Sequence, residues 1–221
     1  PPLETLFPYT TLFRSLAHAK AVNLCHEMLP DALIGPVFGY VPVYPESSAP
    51  LNAIAAENIS DIQNSFFQEL FLNGIYMKNV LDYFERKSDA PLIRDGDMDL
   101  LKSAKSDIIA LNYYKSDVAR WCPEDTQERA MRGNEGGRKG SIVYPKVPGL
   151  YELCANRHLE RTDWDWEIDP AGIRYMLRKV YYRYHLPILI TENVMANFEH
   201  SDGEMIQDDY RIDYMQKHLS E

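Results

Sequence analysis

The sequence lacks several features that would place it in a specialised class of protein. No window approaches the roughly 18 uninterrupted apolar residues of a membrane-spanning helix. The 221 residues include only three cysteines, whose spacing fits neither a disulfide framework nor a metal-binding motif. With 23 Lys and Arg against 33 Asp and Glu, the net charge is −10, and no basic face is available for nucleic acid or an anionic membrane. We therefore expect a cytoplasmic globular protein that binds neither.

The motifs of several enzyme classes are also missing. The six histidines form no His-Glu-x-x-His motif and no close pair with a carboxylate, so we predict no metal site. No Gly-x-Ser-x-Gly motif marks a serine hydrolase. The glycine-rich run at 133–140 lacks the spacing of a phosphate-binding loop, because Lys139 is followed by Gly140, and we interpret it as a flexible loop. We predict neither a metal nor any other cofactor.

Residues 1–15, PPLETLFPYTTLFRS, show neither a helical nor a strand period. They also lack the apolar core and small-residue cleavage site of a secretory signal. Residues 5–15 read as the in-frame translation of a common short-read sequencing adapter. We therefore expect residues 1–15 to be a sequencing artefact and residues 16–221 to be an internal piece of a longer protein.

The rest of the chain alternates predicted helices with short apolar strands. The predicted strands are Leu33–Val41, Asp107–Tyr114 and Pro187–Thr191. The predicted helices are Leu16–Leu29, Asn52–Asn73, Ile75–Lys87, Asp97–Ala104, one that follows an Asp169 N-cap and Pro170, and Asp208–Leu219. Lys115–Asp163 is polar and rich in glycine and proline, and is interpreted as a long excursion. This pattern predicts an α/β fold with a parallel sheet whose three strands are too few to close a barrel.

Two of the predicted strands end in residues that could carry chemistry. Asn112 and Tyr114 follow one strand, and Glu192 follows another within the sequence Thr-Glu-Asn. Reactive groups in β/α folds lie at the C-terminal ends of strands. A carboxylate that emerges from a buried strand is costly unless something hydrogen-bonds or uses it. Glu192 is thus a candidate catalytic residue, with helix capping or pairing with an arginine as the alternatives.

Five stretches together resemble glycoside hydrolase family 1, the β-glucosidase and 6-phospho-β-glucosidase family. They are LAHAKAV at 16–22, LNYY at 111–114, TDWDWEIDPAGIRYML at 162–177, YRYHLPILITEN at 182–193 and DDYRIDYMQKHL at 208–219. LNYY alone is a weak signal, but the five in this order and spacing are specific. The resemblance implies an incomplete (β/α)8 TIM barrel of the glycosidase type, with about three of the eight strands present. It also implies hydrolysis of β-glycosides with retention of configuration.

The resemblance assigns roles to four residues. Glu192 resembles the nucleophile of the family's Thr-Glu-Asn-Gly segment, and Tyr114 resembles the tyrosine that hydrogen-bonds this nucleophile. Asn112 resembles the strand-end asparagine of the same active site, and Trp166 resembles the tryptophan that forms one wall of the aglycone subsite. Without the family, Tyr114 and Trp166 would be interpreted as core or loop-anchoring aromatics.

The chain also departs from the family pattern. Val194 stands where the family has glycine, which predicts a different loop behind the nucleophile, because a β-branched residue does not readily adopt a positive φ. The family's acid/base glutamate lies in an Asn-Glu-Pro segment, whereas Asn134-Glu135 is followed by Gly136. We therefore expect this chain to contain one of the two catalytic carboxylates.

The expected substrate is a small-molecule β-glycoside. The segment PVYPESSAP at 42–50 favours a 6-phosphorylated β-glycoside. A free β-glucoside as substrate and a non-catalytic barrel segment are the alternatives. The oligomeric state stays open.

Overall fold

The computed structural model describes residues 7–87, 90–134, 138–198 and 208–221. In chain order these residues form α1 (Phe7–Met28), β1 (Val37–Gly39), β2 (Val43–Pro45), α2 (Pro50–Ser60), π1 (Asp61–Ser65), α3 (Phe66–Gln68), π2 (Glu69–Asn73), α4 (Lys78–Arg86), α5 (Asp97–Ser103), β3 (Ile109–Asn112), β4 (Asp117–Arg120), β5 (Lys146–Val147), β6 (Tyr151–Cys154), α6 (Pro170–Tyr184), β7 (Ile188–Glu192) and α7 (Asp209–Leu219). None of the helices within these ranges combines the length and the apolar character that a bilayer crossing requires.

The chain divides into two compact units. Unit 1 comprises Pro1–Phe38, Asp61–Leu111 and Leu186–Leu189, and unit 2 comprises Gly39–Ser60, Asn112–His185 and Ile190–Glu221. The strands β1, β3 and β7 each begin in unit 1 and end in unit 2, so their C-terminal residues all belong to unit 2.

The three predicted apolar strands form one sheet in the order β1-β3-β7. Ile109 N donates to Pro187 O at 2.9 Å, and Tyr113 N donates to Glu192 O at 2.8 Å, so β3 and β7 run in the same direction. A corresponding pair of bonds joins β1 to β3. The parallel sheet is confirmed, but only β3 is buried along most of its length. Leu189 of β7 is exposed, and among the described residues β7 is an edge strand of this sheet.

Two apolar clusters are found among the described residues of unit 1. The first cluster contains Ala19, Val22, Leu70, Leu101 and Ala104, and it joins α1, π2 and α5. The second is aromatic and is centred on Phe66, which contacts Val80 and Phe84 of α4. The predicted helix 52–73 is present, but π turns at Asp61–Ser65 and Glu69–Asn73 widen it. Gly74 ends it with a φ of 62°, a value that glycine adopts without strain.

The prediction for residues 1–15 was wrong in one respect, because α1 begins at Phe7 instead of Leu16. Leu12 and Ser15 are buried, and the Ser15 hydroxyl donates to Leu12 O at 2.9 Å. Together with Ala19 and Val22 they continue one buried face at spacings of three and four residues. The helical start was missed because residues 7–15 carry no clear apolar period, and one of the buried positions is a serine.

The interpretation of Lys115–Asp163 as a loop excursion was also wrong. This segment contains β4, β5 and β6, which together with β2 form a second sheet in the order β2-β4-β6-β5. The strand β2 pairs with β4 in parallel, and the other two pairs are antiparallel. Residues 135–137 of the glycine-rich run lie outside the described residues.

Charge pairing across strands explains why such a polar segment forms a sheet. Glu152 of β6 lies opposite Arg120 of β4 and Lys146 of β5, with oxygen-to-nitrogen distances of 2.9 Å to each. Burial opposes the ionisation of Glu152, but the hydrogen bonds from Arg120 and Lys146 outweigh it and lower the pKa of the Glu152 carboxyl group. Hydrophobic alternation is a poor guide to strands that depend on such pairs.

The predicted N-cap of α6 is confirmed and makes further contacts. Asp169 is buried, and its Oδ1 accepts a hydrogen bond from Gly172 N at 3.0 Å. Its Oδ2 accepts from the Tyr44 hydroxyl at 2.9 Å, and its backbone oxygen accepts from the Tyr113 hydroxyl at 2.5 Å. Gly172 has no room for a side chain, because a Cβ there would collide with the Tyr113 hydroxyl oxygen. Asp169 thus links β2, the end of β3 and the start of α6.

We expect Asp169→Ala to lower the free energy of unfolding by about 2–4 kcal/mol, since it removes a helix cap and leaves the half-buried Tyr44 hydroxyl without its acceptor. The measurement is urea unfolding followed by circular dichroism. Asp125→Ala, at an exposed position in unit 2, is the matched control and should change the midpoint little. Equal effects of the two substitutions would contradict this role.

Candidate active site

The candidate site begins at the C-terminal end of β7. Glu192 is the last residue of this strand, and its side chain is exposed. The Tyr114 hydroxyl donates a hydrogen bond to Glu192 Oε2. The backbone bond from Tyr113 N to Glu192 O, at 2.8 Å, holds the ends of β3 and β7 side by side and so brings these two side chains together. The carboxylate is both accessible and held by a specific donor.

The environment of Tyr114 keeps its hydroxyl protonated. Burial and the hydrogen bond to the Glu192 carboxylate raise the pKa of Tyr114 to about 12, and a side-chain hydrogen bond with Asn112 acts in the opposite direction. The phenol is therefore a hydrogen-bond donor at neutral pH, and it donates to the Glu192 carboxylate.

Asn112 is oriented by the neighbouring strand. The Thr191 hydroxyl of β7 donates to Asn112 Oδ1 at 2.5 Å. Asn112 is half-buried at the end of β3, and Thr191 directly precedes Glu192. The amide of Asn112 therefore lies beside the Tyr114 hydroxyl in a fixed orientation, at the edge where Glu192 is presented.

Trp166 lies against Tyr114. Its ring centroid is 5.6 Å from that of Tyr114. A compact turn holds it, in which the Thr162 hydroxyl oxygen accepts from Trp164 N at 3.2 Å and from Trp166 N at 3.3 Å. Thr162 N also donates to Trp166 O at 2.8 Å. The turn thus holds the tryptophan ring against the tyrosine that donates to Glu192.

The sequence analysis missed the residue that anchors this turn. Asp165 is buried with a φ of 62°, and its carboxylate accepts from Gly140 N at 2.6 Å and from Asn134 Nδ2 at 3.0 Å. Asp tolerates this left-handed backbone better than most residues. The alternation of Asp and Trp in TDWDW was the available signal, because it places polar and aromatic side chains on opposite sides of the turn.

Behind Glu192, the next residue ties the strand to α7. Asn193 Nδ2 donates to Tyr113 O at 2.9 Å, and it also contacts the hydroxyl of Tyr214 on α7 at 3.3 Å. Among the described residues other than glycine, only Asp165 and His185 have a positive φ. Val194 therefore does not adopt the left-handed backbone that glycine would permit, in line with its β-branched side chain.

The four predicted site residues, Glu192, Tyr114, Asn112 and Trp166, come together within unit 2. Glu135, which the sequence analysis compared with the family's acid/base segment, lies outside the described residues. Within the described part of the chain, no three or more His, Cys, Asp or Glu side chains gather as a metal site would require.

Parallel strands joined through helices, with polar side chains collected at their C-terminal ends, define a protein of the β/α-barrel class. The chain belongs to glycosyl hydrolase family 1, whose model matches residues 8–221.

Curated relatives agree with this membership. The aryl-phospho-β-D-glucosidase BglC of Bacillus subtilis is 38% identical over 206 residues, which cover 93% of this chain and 43% of BglC. A 6-phospho-β-galactosidase of Leptotrichia buccalis is 34% identical over 227 residues, which cover 96% of this chain and 48% of the relative. The chain thus spans less than half the length of either protein.

Solved structures support the fold. A β-glucosidase from Exiguobacterium marinum superposes with a TM-score of 0.74 at 25% identity, covering 93% of this chain and 42% of that structure. A family 1 β-glucosidase from Thermotoga maritima gives a TM-score of 0.72 at 27% identity, covering 92% of this chain and 41% of that structure. The predicted partial TIM barrel is confirmed.

Replacing the anchor of the tryptophan turn should loosen it without unfolding the protein. We expect Asp165→Ala to speed amide hydrogen exchange at Gly140, because its N–H loses its carboxylate acceptor and alanine is strained at a positive φ. Asp165→Asn is the matched control, since it keeps an acceptor oxygen and tolerates the backbone. Unchanged exchange in the alanine variant would rule out the anchoring role.

Proposed function

We propose that residues 16–221 are part of a longer retaining glycoside hydrolase that cleaves β-glucosides, with Glu192 as the nucleophile. The observation that carries the proposal is the exposed Glu192 carboxylate at the end of a parallel strand, held by the Tyr114 hydroxyl. Family membership and the names of the relatives support the same chemistry. The alternative is a barrel segment without activity of its own.

In the proposed reaction, Glu192 attacks the anomeric carbon, and the bond from this carbon to the leaving-group oxygen breaks. The leaving oxygen takes a proton from a general acid, and the sugar remains as an ester on Glu192. A water molecule, deprotonated by the same acid/base group, then releases the sugar and regenerates the carboxylate. Each step inverts the anomeric configuration, so the overall result is retention.

The surroundings of Glu192 suit a nucleophile better than a general acid. A nucleophile must present an oxygen atom to the anomeric carbon in a fixed position, and the bond from Tyr114 holds the carboxylate in that way. The Tyr114 bond also leaves the second carboxylate oxygen available for attack. Helix capping by Glu192 is excluded within the described residues, since no helix begins within five residues of it.

The second carboxylate is proposed to come from another part of the longer protein. Retaining glycosidases place their two carboxyl groups about 5–5.5 Å apart. Residues 16–221 contain no Asn-Glu-Pro segment. General acid–base catalysis contributes a factor of roughly 10²–10⁴ to the rate of an enzymatic reaction. We therefore propose that this chain supplies the nucleophile, its tyrosine and one aglycone wall.

We further propose that the substrates carry a 6-phosphate. BglC is named an aryl-phospho-β-D-glucosidase, and the relative from Leptotrichia buccalis is named a 6-phospho-β-galactosidase. The second candidate substrate is a free β-glucoside, which the β-glucosidase structures favour. Hydrolysis of p-nitrophenyl β-glucoside with and without a 6-phosphate separates the two.

We expect Glu192→Gln in the complete protein to reduce hydrolysis of both p-nitrophenyl substrates by at least about 10³-fold, because an amide cannot form the glycosyl ester. Added azide should not restore turnover, since the glutamine fills the space of the carboxylate. Glu160→Gln, at an exposed position of the same unit, is the matched control and should keep full activity. Full activity of Glu192→Gln would disprove the nucleophile assignment.

Tyr114→Phe tests the tyrosine separately. The substitution removes only the hydroxyl that donates to Glu192, and a hydrogen bond to a charged group contributes about 1.5–3 kcal/mol. We expect kcat/KM to fall about 10- to 100-fold, because the carboxylate loses the donor that positions it. Full activity of Tyr114→Phe would argue against this role of the hydroxyl.

A further inference from the structure

The helix α7 brings one buried hydroxyl group to the ends of β3 and β7. Tyr214 and His218 are the buried residues of α7, and they lie about one helical turn apart on the same face. Tyr214 is only 2% exposed. A tyrosine hydroxyl that is buried requires hydrogen-bond partners, so the partners of Tyr214 show what the helix does at this place.

The Tyr214 hydroxyl bridges the two segments that leave β3 and β7. It donates to Tyr114 O at 3.2 Å and accepts from Asn193 Nδ2 at 3.3 Å. Asn193 Nδ2 uses its other proton for Tyr113 O, at 2.9 Å. The proton of the hydroxyl and both protons of the amide thus have one acceptor each. A single hydroxyl therefore connects the backbone of Tyr114 to the residue that follows Glu192.

These bonds lie where the backbone pairing of the two strands ends. Glu192 is the last residue of β7, and its backbone oxygen accepts from Tyr113 N at 2.8 Å. One residue further on, Tyr114 and Asn193 are joined through the Tyr214 hydroxyl. The hydrogen bond from the Tyr114 hydroxyl to Glu192 Oε2 spans the same two segments. Its geometry therefore depends on how Tyr114 and Asn193 are held.

His218 orients the ring of Tyr214. The two rings pack against each other with a centroid distance of 3.8 Å and a tilt of 31°. The proton of His218 is on Nδ1, because this atom lies 2.7 Å from Tyr214 O and a carbonyl oxygen can only accept. Burial lowers the pKa of His218, so the ring is uncharged at neutral pH. The imidazole thus fixes the tyrosine ring without placing a charge beside it.

The helix that carries this pair is itself anchored. The ring of His218 contacts the ring of Tyr113 with a centroid distance of 5.9 Å. Arg174 of α6 lies 3.1 Å from the carboxylate of Glu221, just after the last turn of α7. The Tyr214 hydroxyl is therefore presented from an element that is tied both to α6 and to the end of β3.

We propose that Tyr214 is a positioning residue for the proposed nucleophile, Glu192. Its hydroxyl joins Tyr114 to Asn193 and thereby sets the hydrogen bond that the carboxylate receives from Tyr114. This inference rests on the proposed function, and it assigns to Tyr214 an effect that passes through its two partners. The alternative is that Tyr214 only packs α7 on the strands, in which case its hydroxyl supports the fold and no chemical step.

Formation of the glycosyl ester can be measured alone in the complete protein. The reagent is 2,4-dinitrophenyl 2-deoxy-2-fluoro-β-D-glucoside, used with and without a 6-phosphate. Glu192 attacks the anomeric carbon, the bond to the dinitrophenyl oxygen breaks, and dinitrophenolate leaves without needing a proton. The sugar stays on Glu192 as an ester, because fluorine at C2 destabilises the oxocarbenium-like transition state of its release. Absorbance of dinitrophenolate gives the rate, and mass spectrometry of peptides locates the ester.

We expect Tyr214→Phe to lower the first-order rate of labelling at saturating reagent about 5- to 30-fold, because the attacking carboxylate is displaced. The reagent concentration that gives half this rate should change less than about 2-fold, since the groups that bind the sugar remain. Tyr182→Phe removes the hydroxyl of an exposed tyrosine on α6 and should leave both constants unchanged. Phenylalanine keeps the ring that packs on His218, and circular dichroism checks that both variants are folded.

Two further variants separate positioning from support of the fold. Asn193→Ala leaves α7 unchanged and removes the amide that donates to Tyr214, so it should also slow labelling, by about 3- to 10-fold. In a Tyr114→Phe background, Tyr214→Phe should slow labelling further by less than about 3-fold, because its effect passes through the missing hydroxyl. Equal slowing by Tyr214→Phe in the two backgrounds would overturn the proposal.

The outcome is separable from that of the proposed function. If the ester forms on another residue or not at all, the nucleophile assignment is wrong, and the positioning role fails with it. If Glu192 carries the ester and Tyr214→Phe is labelled at the wild-type rate, the positioning role alone is wrong. A lower urea midpoint of Tyr214→Phe with an unchanged labelling rate would show that the hydroxyl serves only the fold.

Discussion

The geometry of unit 2 depends on one buried carboxylate. Asp169 accepts hydrogen bonds from the first turn of α6 and from Tyr44, while its backbone oxygen accepts from Tyr113. Tyr113 directly precedes Tyr114, and α6 leads through a short connection into the strand that carries Glu192. Asp169 thus fixes the end of β3 and the start of the helix before β7. These two elements position Tyr114 and Glu192.

Much of this arrangement could be read from local sequence. The strand Ile109–Asn112 was predictable because a central parallel strand is apolar along its length, and the α6 cap was predictable because Asp169-Pro170 combines an acceptor with a preset φ. Glu192 and Tyr114 were found because strand ends are where side chains of a parallel sheet meet. Their roles came from the family resemblance.

The missed features depend on partners that are distant in sequence. Strands β4, β5 and β6 are held by charge pairs such as Arg120 with Glu152, and no hydrophobic period reveals them. Asp165 is bonded to Asn134 and Gly140, more than twenty residues earlier. Neither partner is evident until the chain has folded. The apolar strand β7 is largely exposed, since local composition does not show which other part of the chain packs on the faces of a strand.

In the turn at TDWDW, different side chains stabilise the backbone and form the outer surface. Thr162, Asp165 and Glu167 are buried and hold the backbone, whereas the indole rings between them reach the surface. Side chains on the outer side can change while the inner anchors stay constant. Substitutions at the two tryptophan positions should therefore alter the outer surface of the turn with little loss of folding stability.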